Sequence, residues 1–184
     1  MGAAMIDSFE LKTERLLLRP FALGDVEDVL EYATSPEWGR FLPVPQPNTM
    51  RAAEESVARS VLTSWETRPR FAVVLDKKVI GRIGLTVEPQ HEHAEVTYSI
   101  SSYHWGKGLM PEALRAVMDW AFPYYNVKKI YARIDPRNER SWHVAEKLGM
   151  SREGLLRSHE IIRGERWDVL YYGILRQEWE SSRA

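Results

Sequence analysis

Residues 98–113 read YSISSYHWGKGLMPEA, and the rest of the chain is best read outward from them. Val96, Tyr98 and Ile100 alternate with Thr97, Ser99 and Ser101, which predicts a strand. A turn containing Gly106 and Gly108 follows, and an apolar-periodic helix begins directly after it. A helix start carries backbone N–H groups without intrahelical partners and the positive end of the helix dipole. Together these form a site for a phosphate or pyrophosphate. The two glycines let the backbone approach a ligand where a Cβ would collide. A tight strand-to-helix turn with no ligand is the alternative. The GKS or GKT ending of a Walker loop is missing, and so is the third glycine of a dinucleotide fingerprint.

A second strand is predicted at Lys129–Ile134, followed by DPRNERSWHVAEKLGMSREG at 135–154. With these segments the chain resembles the GNAT superfamily of acyl-CoA-dependent N-acetyltransferases. WGKGLMPEAL (105–114) is similar to the family's motif A, and the helix from Asn138-x-x-Ser141 to Lys147-Leu148-Gly149-Met150 to its motif B. TERLLLRPF (13–21), with Asp25 shortly after, resembles the opening of the Rim-type branch, the ribosomal-protein N-terminal acetyltransferases and their relatives. WDVLYYGILRQEW (167–179) resembles that branch's last strand. The likeness covers nearly the whole chain, in the right order.

Composition sets limits. The 184 residues fit one ordinary domain, and a net charge of −1 gives no nucleic-acid footprint. No apolar stretch reaches membrane-spanning length and no signal pattern opens the chain, so a cytoplasmic, membrane-free protein is expected. Residues 1–4 read as a possible expression scar ahead of a native Met5. Without cysteine there is no disulfide, no cysteine metal site and no acyl-cysteine intermediate, so acyl transfer is expected to be direct.

The coarse pattern predicts strands at 13–20, 71–75, 79–88, 94–101, 129–134, 151–158 and 166–176, and helices at 24–34, 50–65, 109–121 and 138–149. Met110, Ala113, Leu114, Val117, Met118 and Ala121 mark the buried stripe of the third helix. Asn138 is a good N-cap, and Gly149 sits where a helix end favours positive φ. The expected class is α/β, a mixed sheet of about seven strands with about four helices. The resemblance adds a strong twist and a splay between the fourth and fifth strands, with the pantetheine arm of acetyl-CoA in the gap.

Thioester aminolysis needs a neutral amine, hence a proton acceptor near it, and a donor for charge developing on the thioester oxygen. Glu95 shares a strand face with Thr97 and Ser99, and in relatives a Glu at this place faces the acceptor cleft. A cross-strand ion pair is its plainer explanation. Many superfamily members carry a Tyr at the position of Ala145 to protonate the thiolate; Ser141 or a water is the substitute here. The resemblance places the cofactor on Ile100, Ser101, Tyr103, Trp105, Gly106, Lys107, Gly108, Leu109, Met110 and Asn138. Tyr103 replaces a common Gln or Arg. Lys107 and Arg115 would steer a negatively charged cofactor. Trp38 and Phe41, beside Pro43, Pro45 and Pro47, would wall the acceptor cleft, or merely anchor a surface loop. His91-x-His93 lacks a further ligand at metal spacing, so no metal is expected. The acceptor reads as a peptide N-terminus or a small amine, with a silent acyl-CoA sensor as the non-enzymatic alternative. The chain is expected to be a monomer or homodimer.

Overall fold

The computed structural model describes residues 9–44 and 48–183. Eight strands lie in one sheet: β1 (Leu11–Lys12), β2 (Leu17–Pro20), β3 (Arg70–Leu75), β4 (Lys78–Glu88), β5 (His93–Ile100), β6 (Lys129–Ile134), β7 (Ser151–Ile162) and β8 (Glu165–Leu175). Their spatial order is β1-β2-β3-β4-β5-β6-β8-β7. The helices are α1 (Val26–Ala33), α2 (Pro36–Gly39), α3 (Met50–Leu62), α4 (Leu109–Tyr125), α5 (Glu139–Lys147) and α6 (Arg176–Ser181).

The architecture is the expected mixed α/β sheet, with one more strand and two more helices. The segment 13–20 is not one strand. Thr13 turns the chain: its N–H reaches the Leu16 carbonyl at 2.9 Å, and Leu11 then pairs with Leu18 across a short hairpin. The added helices are short pieces of four and six residues at Pro36 and Arg176, too short for an apolar period to reveal. The last hairpin is also longer than expected. Arg163 and Gly164 both take positive φ (51° and 80°), so a two-residue turn closes it and β7 runs on to Ile162.

Every neighbouring pair is antiparallel except β5 and β6, which are connected through α4. Their parallel register covers only His93↔Lys129, Ala94↔Ile130 and Glu95↔Tyr131. Beyond it β5 continues to Ile100 and β6 to Ile134. This is the splay between the fourth and fifth of the expected strands.

Helices cover both sheet faces. Alternation on β3 shows this directly, because Phe71 and Val73 pack with α4 whereas Ala72 and Val74 pack with α1 and α3. All six residues of the expected α4 stripe are buried. Arg19 grips the buried carboxylate of Asp25 through both terminal nitrogens, at 2.8 and 2.7 Å, and Asp25 also accepts from the Ala22 N–H. These bonds fix where α1 starts, and so where the loop that follows it lies.

Candidate active site

A cavity of about 360 Å³ lies against the end of β5 that extends beyond its pairing with β6. Its wall joins Ile100, Trp105, Gly106, Gly108, Leu109 and Met110 to Asn138 and Ser141 of the α5 start, and both to Trp38 and Phe41. A volume of this size is ordinary for a small-molecule site. Three elements far apart in sequence thus converge beside the unpaired end of β5.

Gly106 and Gly108 have φ of 74° and 73°. A Cβ at Gly106 would meet nothing within 4 Å, so its positive φ, not crowding inside the protein, favours glycine there. Gly108 is the N-cap of α4 and offers no side chain to its first N–H groups. They are therefore available to an anion. The turn is held from outside by Arg15, whose Nη1 donates to the Lys107 carbonyl at 3.0 Å while its Nε donates to Glu112 at 2.7 Å. Burial alone would raise the Glu112 carboxyl's pKa. Hydrogen bonds from Thr13 and from Arg15, with the guanidinium charge, outweigh this and hold it below its ordinary value.

Basic side chains line the same end. Arg140 lies 4.5 Å from the centre of the Trp105 ring, and His104, His143 and Lys147 also border the cavity. Burial, followed by the charges of Lys107 and Lys78, lowers the pKa of His104.

The Asn138 side chain accepts from the Ser141 N–H at 3.3 Å, the N-cap expected from sequence. Ser141 Oγ donates to Tyr98 Oη at 3.1 Å, and Tyr98 Oη donates to the Ser141 carbonyl at 2.9 Å. Burial, partly offset by its contact with Ser141, pushes the Tyr98 phenol well above its usual range. Ala145, on α5, is fully buried.

Three of the expected cofactor residues do not border the cavity. Ser101 is buried, Tyr103 is 73% exposed, and Lys107 contributes its carbonyl to the Arg15 contact. Glu95 is also outside the lining. Its carboxylate accepts from Arg133 Nε at 2.8 Å, and Arg133 Nη1 donates to Glu160 at 2.6 Å. Trp38 is buried and Phe41 half-buried. Pro45 and Pro47 lie outside the described residues, as do residues 1–5.

Sequence reasoning passed over Tyr98 as a polar group, and over Arg140. Arg163, in the β7–β8 turn, donates to the carbonyls of Arg40 at 2.8 Å and Leu42 at 3.0 Å. It fixes the loop that carries Trp38 and Phe41. No sequence period connects residues so far apart.

The GNAT acetyltransferase domain model matches residues 15–151. The chain belongs to the GNAT acetyltransferase family. It is 30% identical over 173 residues to the uncharacterized N-acetyltransferase p20 of Bacillus licheniformis, covering 92% of this chain and 97% of that one. It is 34% identical over 116 residues to spermidine N(1)-acetyltransferase of Escherichia coli (strain K12), covering 62% of each. The solved ribosomal-protein-S5-alanine acetyltransferase from Vibrio fischeri aligns with a TM-score of 0.79 at 25% identity, over 94% of this chain and 99% of that one. The protein is an acetyl-CoA-dependent N-acyltransferase of this GNAT family. The uncapped α4 start, the two positive-φ glycines and the basic rim fit the diphosphate of acetyl-CoA, and the cavity beside Asn138 and Ser141 fits its thioester arm. Among the described residues no helix is long and apolar enough to cross a membrane.

Proposed function

We propose that the acceptor is the α-amine of a protein or peptide N-terminus, placed against the acetyl-CoA thioester between β5 and β6. The single cavity shared by the Gly106–Met110 turn and the Trp38–Phe41 loop carries this reading, since it lets donor and acceptor meet without an intermediate. In this reading Gly106, Gly108, Leu109 and Met110 hold the diphosphate, Ile100 and Asn138 border the pantetheine arm, and Trp38 and Phe41 close on the acceptor. Glu95, held by Arg133, takes the amine's proton directly or through water.

The charge of the wall favours a peptide over a polyamine. Among its ionisable side chains Glu37 is the one carboxylate, against Arg40, Arg140 and Lys147. Two further carboxylates nearby, Glu95 and Glu160, are already occupied by Arg133. A spermidine site needs several free carboxylates for a multiply charged substrate. The likeness to the ribosomal-protein-S5-alanine enzyme agrees with the peptide reading, and the likeness to the spermidine enzyme supplies the competing one.

Release of free thiol from acetyl-CoA, measured against peptides with a small free N-terminal residue, N-formylated copies and spermidine, decides between them. Turnover on free peptides, silence on formylated ones and little on spermidine are expected. Robust spermidine turnover with silent peptides reverses the assignment. Tight acetyl-CoA binding without turnover on any amine would instead leave a sensor.

A further inference from the structure

Ser141 does not stand alone in the cavity wall. Its hydroxyl hydrogen points at Tyr98 Oη, and the phenol hydrogen is used on the Ser141 carbonyl. The two hydroxyls therefore form a closed loop with the Ser141 backbone, in which the Ser141 hydrogen is directed at Tyr98. Tyr98 arrives from β5 and Ser141 from the first turn of α5, so the loop ties the strand to the helix.

We propose that Tyr98 is a positioning residue that governs Ser141 as a hydrogen-bond donor to the departing thiolate, without either hydroxyl giving up its proton. The proposal rests on the acetyl-transfer reading of this cavity. When the amine nitrogen bonds to the acyl carbon and the carbon–sulfur bond breaks, the electron pair stays on sulfur. The Ser141 hydroxyl then swings toward sulfur, and Tyr98 Oη, able to rotate its own hydrogen onto the vacated Ser141 oxygen, stabilises that orientation. The proton lost by the amine passes to its acceptor and then to solvent, from which the free thiol is completed, so atoms and charges balance.

Why the pair holds a proton and does not transfer it follows from burial. A largely desolvated phenol resists becoming phenolate, and the raised Tyr98 pKa reflects the same physics. A serine alkoxide is harder still to form. Donation to sulfur is the role left to them, worth roughly tenfold in rate for one hydrogen bond to a charged atom.

The test compares wild type with Tyr98→Phe using two acyl donors, acetyl-CoA and its selenoester analogue, whose weaker-base leaving group relies less on a hydrogen bond. With acetyl-CoA the variant should lose roughly three- to tenfold in kcat at unchanged KM for the donor. With the selenoester the gap should close. A purely structural defect would slow both donors equally, and that outcome overturns the proposal. Both limbs of the pH–rate profile should keep their positions; an alkaline limb that vanishes in Tyr98→Phe makes Tyr98 a true acid and also overturns it. Ser141→Ala serves as the second variant. In that background Tyr98→Phe should have no further effect on kcat, whereas additive losses would separate the two residues. Failure of the acetyl-transfer reading is distinguishable, because wild-type protein would then transfer acetyl from neither donor.

Discussion

Arg15 and Glu112 meet across 97 residues of sequence, the guanidinium donating through Nε at 2.7 Å and the Arg15 backbone N–H at 2.9 Å. Glu112 stands in the first turn of α4, where a negative charge would repel a cofactor diphosphate. Arg15 cancels that charge and at the same time braces the Gly106–Gly108 turn through the Lys107 carbonyl. Arg15→Met should therefore weaken acetyl-CoA binding by roughly fivefold while leaving kcat at saturating donor near wild type. Adding Glu112→Gln should recover part of the loss. Calorimetry that shows equal affinities for wild type and Arg15→Met excludes this role.

Gly108→Glu places a carboxylate and a side chain at the mouth of the α4 start, on a backbone held at φ 73°. Acetyl-CoA binding should be lost. Gly108→Ala is the control: its left-handed backbone costs about 1 kcal/mol of stability but adds no charge. A folded Gly108→Glu protein with undiminished affinity removes the diphosphate from this turn.

Glu95→Gln keeps the shape of the residue and its contact with Arg133, but cannot accept a proton. It should lower kcat, flatten the rising limb of the pH–rate profile and leave acetyl-CoA affinity intact. An unchanged profile makes the Glu95–Arg133–Glu160 chain a structural ion-pair network.

His104 carries a pKa depressed by burial and then by Lys107 and Lys78. Its proton binds better to the unfolded chain than to the free folded protein. Its contribution to stability is therefore full above the ordinary value of 6.5 and is lost as pH falls through the lowered folded value. A diphosphate bound beside it reverses the sign, because the charged imidazole gains a partner. Acetyl-CoA affinity should thus rise as pH drops through the same window, with proton uptake on binding. In His104→Gln this pH dependence should disappear; if it persists, the proton goes elsewhere.

Arg163 secures the acceptor loop by donating to the Arg40 and Leu42 carbonyls. Arg163→Ala should raise KM for the amine several-fold, with KM for acetyl-CoA unchanged. Equal changes in both constants would mean that the loop serves the whole cavity.

Periodicity was legible wherever a residue's role is set by near neighbours. The α4 stripe, the Asn138 cap and the strand–turn–helix around Gly106 depend on spacings of a few residues, and each appears where the sequence places it. The roles that escaped are set by distant contacts. Alternation puts Tyr98 on the apolar face of β5, correctly, but says nothing of a hydroxyl reaching residue 141. The contacts of Arg15 and Arg163 have no local signal because their partners lie about a hundred residues away. The resemblance puts Lys107 at the cofactor, and the structure adds that its carbonyl accepts from Arg15, which no side-chain pattern announces.

The three parallel pairs between β5 and β6 have a consequence for motion. Strands β1–β5 and β6–β8 are each stitched edge to edge, so the sheet consists of two well-laced panels joined by a short seam. Amide hydrogen exchange should register the seam as a boundary, with the amides of Val96–Ile100 and Ala132–Ile134 opening more readily than those deeper in either panel. A cosubstrate bound at the far end of the gap would clasp the panels together, and slowed exchange on both sides of it would be its footprint.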